Sequence, residues 1–174
     1  MRTFRSALWL FASVVVLCGV VNAQEPLDGR HRTFNDDLLE NLVGEWKITR
    51  RIRGQSLENT ATVEWVLNHQ FMKVHLKDVQ KPSQYEAMVF IGYDNMSERY
   101  VVHWIDVFGG RSSETLGYGT RNGNSIKFVF EYPDGPFHNT FTWNPETKTW
   151  KFVLEQKTQA GKWTTFAEDA LRRP

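Results

Sequence analysis

Ten short runs of alternating polar and apolar residues extend from Gly44 to Arg172, and turns rich in Gly, Pro or Asn end them. A period of two indicates β-strands, because successive side chains of a strand point to opposite faces. The turns at 121–124 and 134–136 are short enough to join antiparallel neighbours as hairpins. Closure would remove the exposed strand edges, so the pattern predicts an all-β, up-and-down antiparallel barrel of about ten strands. A flat two-sheet sandwich is the alternative.

Most runs carry their apolar residues on one face, as Trp46, Ile48 and Ile52 do in the first. Two runs, 85–93 and 99–108, are apolar on both faces, which indicates either strands covered on both sides or a lined lumen. One short helix is expected over 35–43, with Asn35 or Asp36 as its N-cap and Gly44 as its stop. No other helix is predicted between the strands.

The first 23 residues have the features of a secretory signal peptide. Arg2 and Arg5 precede an apolar run over 7–21, and Ala23 offers the small residue that cleavage requires. The run is shorter than the roughly 20 residues that span a bilayer, so no stable membrane anchor is expected. We therefore predict a signal peptide at 1–23, a disordered lead-in at 24–34 and one barrel domain at 35–174, in an exported protein that is periplasmic or secreted.

Cleavage after Ala23 would change both the charge and the cysteine content. The 21 basic side chains would fall to 19, against 20 acidic ones, and Cys18, the single cysteine, would be lost. A nearly neutral chain without a basic block argues against nucleic acid as a partner. A disulfide is excluded as well, although the remaining length suffices for one packed core.

Gly44-Glu45-Trp46, preceded by a short helix, resembles the opening of the lipocalin or calycin barrels. In those barrels the Trp closes the floor, and an Arg of the last strand packs over it; the resemblance implies that role for Arg172 or Arg173. Three further blocks, 91–95 (Ile-Gly-Tyr-Asp-Asn), 99–102 and 104–106, look like a bacterial lipocalin-like family known as domain of unknown function 1579. This second resemblance covers about 38–172 and implies a small calycin-type barrel without a settled activity.

Arg50 falls on the strand face of Trp46, so a cation is expected among aromatic residues inside the barrel. A buried charge needs a partner or a ligand, and Asp106, on the face of Trp104, is the expected partner. Arg50 would then anchor the anionic or polar end of a ligand. Alternatively, it forms a structural ion pair or lies near the rim in water.

Several aromatic residues on the same faces could line a pocket or fill the barrel completely, and both alternatives stay open. The residues that we predict to bind a ligand are Trp46, Arg50, Trp65, Tyr93, Trp104, Asp106, Phe128 and Phe130.

We predict no catalytic residue, no metal site and no cofactor. The four histidines of the barrel domain that invite a metal interpretation lack the spacing of ligands; they are His69, His75, His103 and His138. No nucleophile elbow or phosphate loop is present. The predicted function is the non-enzymatic binding of a small hydrophobic or aromatic molecule in the barrel lumen. The alternatives are a small enzyme that uses a lumenal Arg/Asp pair and an interaction module with a filled barrel; the oligomeric state stays open.

Overall fold

The computed structural model describes residues 33–174. The predicted signal peptide and most of the predicted lead-in lie outside these residues. Phe34, at the end of that lead-in, is buried, and its ring contacts Trp65 edge to face at 5.3 Å and stacks on Tyr93 at 5.6 Å. The packed core therefore includes Phe34, one residue before the boundary drawn from the sequence.

Ten strands and two short helices make up the described chain. In order they are α1 (Asp37–Glu40), β1 (Gly44–Ile52), β2 (Gln55–Val66), β3 (Phe71–Asp78), β4 (Glu86–Asp94), β5 (Arg99–Asp106), α2 (Gly110–Ser113), β6 (Leu116–Asn122), β7 (Ser125–Tyr132), β8 (Gly135–Asn144), β9 (Thr149–Lys157) and β10 (Trp163–Arg172).

Every strand pairs antiparallel with the next one along the chain, and β1 pairs with β10 to close the ring. The predicted all-β up-and-down barrel of ten strands is confirmed, and the flat sandwich is wrong. In the closing pair, Ile48 lies opposite Leu171 and Arg50 lies opposite Asp169. No helix within residues 33–174 is long and apolar enough to cross a membrane.

The helices differ from the prediction in length and number. The helix α1 covers four residues, and the Asp36 carboxylate caps it by accepting hydrogen bonds from the backbone N–H groups of Leu38 (2.9 Å) and Leu39 (2.8 Å). The expectation that no other helix occurs is wrong, because α2 forms one turn between β5 and β6. Its N-cap is Gly109, whose φ of 82° suits a residue without Cβ.

One end of the barrel is closed by α1 and the residues around it. Leu38, Leu39 and Leu42 are fully buried there, and Trp46 donates its indole N–H to the Leu42 carbonyl at 2.7 Å. The Arg173 guanidinium lies 3.9 Å from the Trp46 ring centroid. The resemblance to lipocalins left Arg172 or Arg173 open for this contact, and the structure selects Arg173.

Large rings fill the interior between this closed end and the middle of the barrel, and β6 presents glycine to them at two inward positions, Gly117 and Gly119. A Cβ on Gly117 would lie 2.6 Å from Val102 Cγ1, and a Cβ on Gly119 would lie 2.6 Å from Phe128 Cδ1. Glycine at these positions therefore makes room for the rings of β7. The sequence did not show which residues of this strand point inward, because its inward positions carry no apolar side chain.

We expect Gly119→Ala to lower the free energy of unfolding by about 1–3 kcal/mol, since the new methyl group overpacks a fully buried ring. Urea unfolding followed by tryptophan fluorescence measures this loss. Gly110→Ala is the matched control, because a Cβ there meets no atom within 4 Å and should change stability by less than about 0.5 kcal/mol. Equal stability of the two variants would contradict the packing argument.

Candidate functional site

The barrel end opposite α1 contains a cavity of about 390 Å³. Arg53, Gln55, Gln84 and Phe108 form its exposed rim. Its remaining lining residues lie deeper, and they are Arg50, Ile52, Leu57, Asn59, Asp78, Tyr85, Leu154 and Phe166. We call this space the open-end cavity.

Arg50 lies at the inner end of the open-end cavity and is bound to Asp169. Its Nε and Nη2 donate to the two carboxylate oxygens of Asp169, each at 2.7 Å, and both side chains are buried. Burial alone would lower the pKa of the guanidinium, but Asp169 outweighs this effect and raises the pKa above its ordinary value. The predicted partner, Asp106, is therefore wrong: β1 meets β10 at the closing seam, whereas β5 is not its neighbour.

Tyr85 lies between Arg50 and Asp106, the partner that the sequence predicted for Arg50. The Arg50 guanidinium is 5.2 Å from the Tyr85 ring centroid, and the Tyr85 hydroxyl accepts a hydrogen bond from the Trp104 indole at 3.1 Å. Asp106 accepts the Phe108 N–H at 3.0 Å and so holds the loop after β5. Burial raises the pKa of the Asp106 carboxyl, while the Phe108 hydrogen bond and the Arg50 charge oppose the shift.

Two buried polar residues at the inner end were missed by sequence reasoning. Asn59 on β2 and Asp78 on β3 are directly opposite each other in the sheet, and both line the open-end cavity. Strand periodicity could have found them, because Asn59 shares the face of Val63, and Asp78 shares the face of Val74 and Leu76. Asp169 lies in the same way on the face of Leu171.

A second cavity of about 600 Å³ adjoins the first, and the two share Arg53 and Phe166 in their linings. The Arg53 guanidinium lies 5.7 Å from the Phe166 ring centroid, so this pair separates the two spaces. The second cavity is formed chiefly by the turn between β7 and β8, by α2 and by the end of β9.

Of the eight residues predicted to bind a ligand, Arg50 alone lines the open-end cavity. Trp46, Phe128 and Phe130 are buried in the core, where they fill the barrel. Trp65 and Tyr93 pack around Phe34 near α1. Trp104 and Asp106 lie close to the cavity, since they contact Tyr85 and Phe108, two of its lining residues.

The four histidines that drew attention in the sequence form separate contacts. His69 bonds the Phe34 carbonyl at 2.8 Å, His75 bonds Glu86 at 2.6 Å, His103 bonds the Ser113 carbonyl at 2.7 Å, and His138 stacks on Trp163. Across residues 33–174 no group of three or more His, Cys, Asp or Glu side chains could hold a metal ion.

We expect Asp169→Asn to destabilise the protein by about 3–5 kcal/mol, because it leaves the buried Arg50 charge without its counterion. The double variant Arg50→Met/Asp169→Leu should be more stable than Asp169→Asn alone, since it removes both charges. Chemical unfolding of the parent protein, the single variant and the double variant measures their free energies of unfolding. A double variant less stable than the single one would contradict the ion-pair explanation.

Asp78 should contribute to the acid sensitivity of the fold. Burial raises the pKa of its carboxyl, but hydrogen bonding from the Ser83 hydroxyl and from the Gln84 and Tyr85 N–H groups outweighs burial and lowers the pKa. The stabilisation is then present above the unfolded pKa of about 3.9 and is lost as the pH falls through the folded pKa. Asp78→Asn should make the unfolding free energy fall less steeply below about pH 5. An unchanged slope in acid titrations of stability would count against this assignment.

Comparison with known proteins assigns the chain to a family. No curated protein matches the chain. The family described as "Protein of unknown function (DUF1579)" matches residues 33–173, which is nearly the whole described chain. The chain therefore belongs to the DUF1579 family.

Proposed function

We propose that this protein is an exported barrel that binds one small, largely apolar molecule in the open-end cavity, without catalysing a reaction. The observation that carries the proposal is the cavity itself. Its volume of about 390 Å³ falls within the roughly 300–1,000 Å³ of small-molecule sites, and its lining combines apolar side chains with polar groups. Ile52, Leu57, Leu154 and Phe166 supply the apolar surface, and Arg50 is among the polar groups.

The ligand would occupy the outer part of the barrel only. Trp46, Phe128, Phe141 and Trp150 are at most 1% exposed and fill the part next to α1. A molecule that enters from the rim would therefore rest on the layer that contains Arg50. This arrangement combines two alternatives that the sequence left open, since one part of the barrel is filled and the other contains a cavity.

The geometry favours binding over catalysis. The enzymatic alternative relied on Arg50 acting with Asp106, but Arg50 is held by both oxygens of Asp169. A guanidinium that donates two hydrogen bonds to a buried carboxylate is a structural element of the wall. The proposal of export rests on the apolar run and cleavage site within residues 1–23.

We expect N-phenyl-1-naphthylamine, a neutral and mostly apolar fluorophore, to bind saturably with one molecule per barrel. Leu57→Trp places a larger ring in the open-end cavity and should weaken this binding at least about tenfold, since it removes space that the probe needs. The measurement is a fluorescence titration in which the probe is excited directly.

Leu116→Trp is the matched control, because Leu116 lies on the outer surface of β6 and is 39% exposed. It should bind the probe as the parent protein does. The proposed function fails if binding does not saturate, or if both variants bind as tightly as the parent.

A further inference from the structure

We propose that the inner end of the open-end cavity recognises a head group that donates hydrogen bonds, and that Asn59 and Asp78 accept them. The ligand would thus be an amphipathic amine or alcohol with an apolar body. This inference rests on the proposed function and names the chemical class of its ligand.

The first observation is a pair of buried oxygens without hydrogen-bond donors. Asn59 is 3% exposed and Asp78 is 7% exposed, and both line the cavity. Within residues 33–174, no protein group donates a hydrogen bond to Oδ1 of either side chain. A buried acceptor that lacks a donor is unfavourable, so the two oxygens form a site that a donor would satisfy.

The second observation is that the Asp78 carboxylate is held in place by its other oxygen. Oδ2 accepts the backbone N–H groups of Gln84 and Tyr85, each at 2.9 Å. The Ser83 hydroxyl, which donates to the Tyr85 carbonyl at 3.0 Å, is close enough to the same carboxyl to lower its pKa. The loop between β3 and β4 therefore fixes the carboxylate and leaves Oδ1 for a ligand.

The third observation is the charge balance at the inner end. Arg50, the buried cation there, is neutralised by Asp169. Asp78 has no cationic side chain within ion-pair distance in the described part of the chain. An ammonium would neutralise this charge and a hydroxyl would donate a hydrogen bond to it, whereas a carboxylate would add a second negative charge. The sequence-based expectation was that Arg50 anchors the anionic or polar end of a ligand. In the present proposal Asn59 and Asp78 instead accept hydrogen bonds from the ligand.

The test compares four ligands with an unbranched alkyl chain of nine or ten carbons. Decylamine, decanol, methyl nonyl ether and decanoate are each titrated, below their aggregation concentrations, to displace bound N-phenyl-1-naphthylamine. Decylamine and decanol should displace it at concentrations at least about tenfold lower than the ether and decanoate, since only they donate a hydrogen bond to Asn59 and Asp78.

Asp78→Asn removes the charge that an ammonium would pair with, so it should weaken displacement by decylamine at least about tenfold more than displacement by decanol. Asp134→Asn is the matched control, because Asp134 is an exposed carboxylate that lines the neighbouring cavity and should leave the order of the four ligands unchanged. If Asp78→Asn fails to fold, the four ligands are compared on the parent protein and on Asn59→Leu. Asn59→Leu should weaken the binding of decylamine and decanol relative to that of the ether.

Two outcomes overturn the inference. One is saturable probe binding together with equal displacement by decanoate or the ether, which leaves the proposed function intact. The other is an Asn59 amide that itself donates to Asp78. In that case the effects of Asn59→Leu and Asp78→Asn on the unfolding free energy of the ligand-free protein would not be additive. The four ligands would then show no preference for a hydrogen-bond donor. Absence of saturable probe binding, by contrast, is the failure of the proposed function.

Discussion

The pairing of β1 with β10 is the constraint on which the rest of this structure depends. It closes the ring, and its register sets Arg50 directly opposite Asp169. The same seam brings the end of β10 to the floor, where Arg173 covers Trp46 and donates to the Asn41 carbonyl at 3.3 Å. A shift of one residue would turn every inward side chain of a strand to the outside, so the floor and the buried ion pair specify the register together.

The interior changes in character along the barrel axis. Next to α1 the space is filled by rings, and β6 accommodates them by presenting glycine. Further out, the inward positions carry Arg50, Asn59, Asp78 and Asp169 in place of apolar residues. Such side chains contribute less to a core than apolar residues of similar size, and our proposals place ligand recognition in this layer.

Periodicity and turn chemistry were enough to predict the strands, their antiparallel order and closure. The resemblance to lipocalins predicted that an arginine packs on Trp46 at the floor, and it left the choice between Arg172 and Arg173 open. The partner of Arg50 could not be predicted, because a strand's face tells which residues point inward but not which inward residues meet across the ring. Asn59 and Asp78 were missed for a different reason, since an isolated polar residue on an apolar face looks like an interruption of the pattern.

The seal formed by α1 and Trp46 closes one end of the barrel, and the rim of the open-end cavity lies at the other end. A molecule bound as we propose would enter and leave past the exposed side chains of Arg53 and Phe108. By microscopic reversibility, a change at this rim that contacts only the passing molecule alters the association and dissociation rates by the same factor and leaves the affinity unchanged. For the proposed ligand, residence time could therefore change through the rim without a change in affinity, which would depend on the polar layer beneath it.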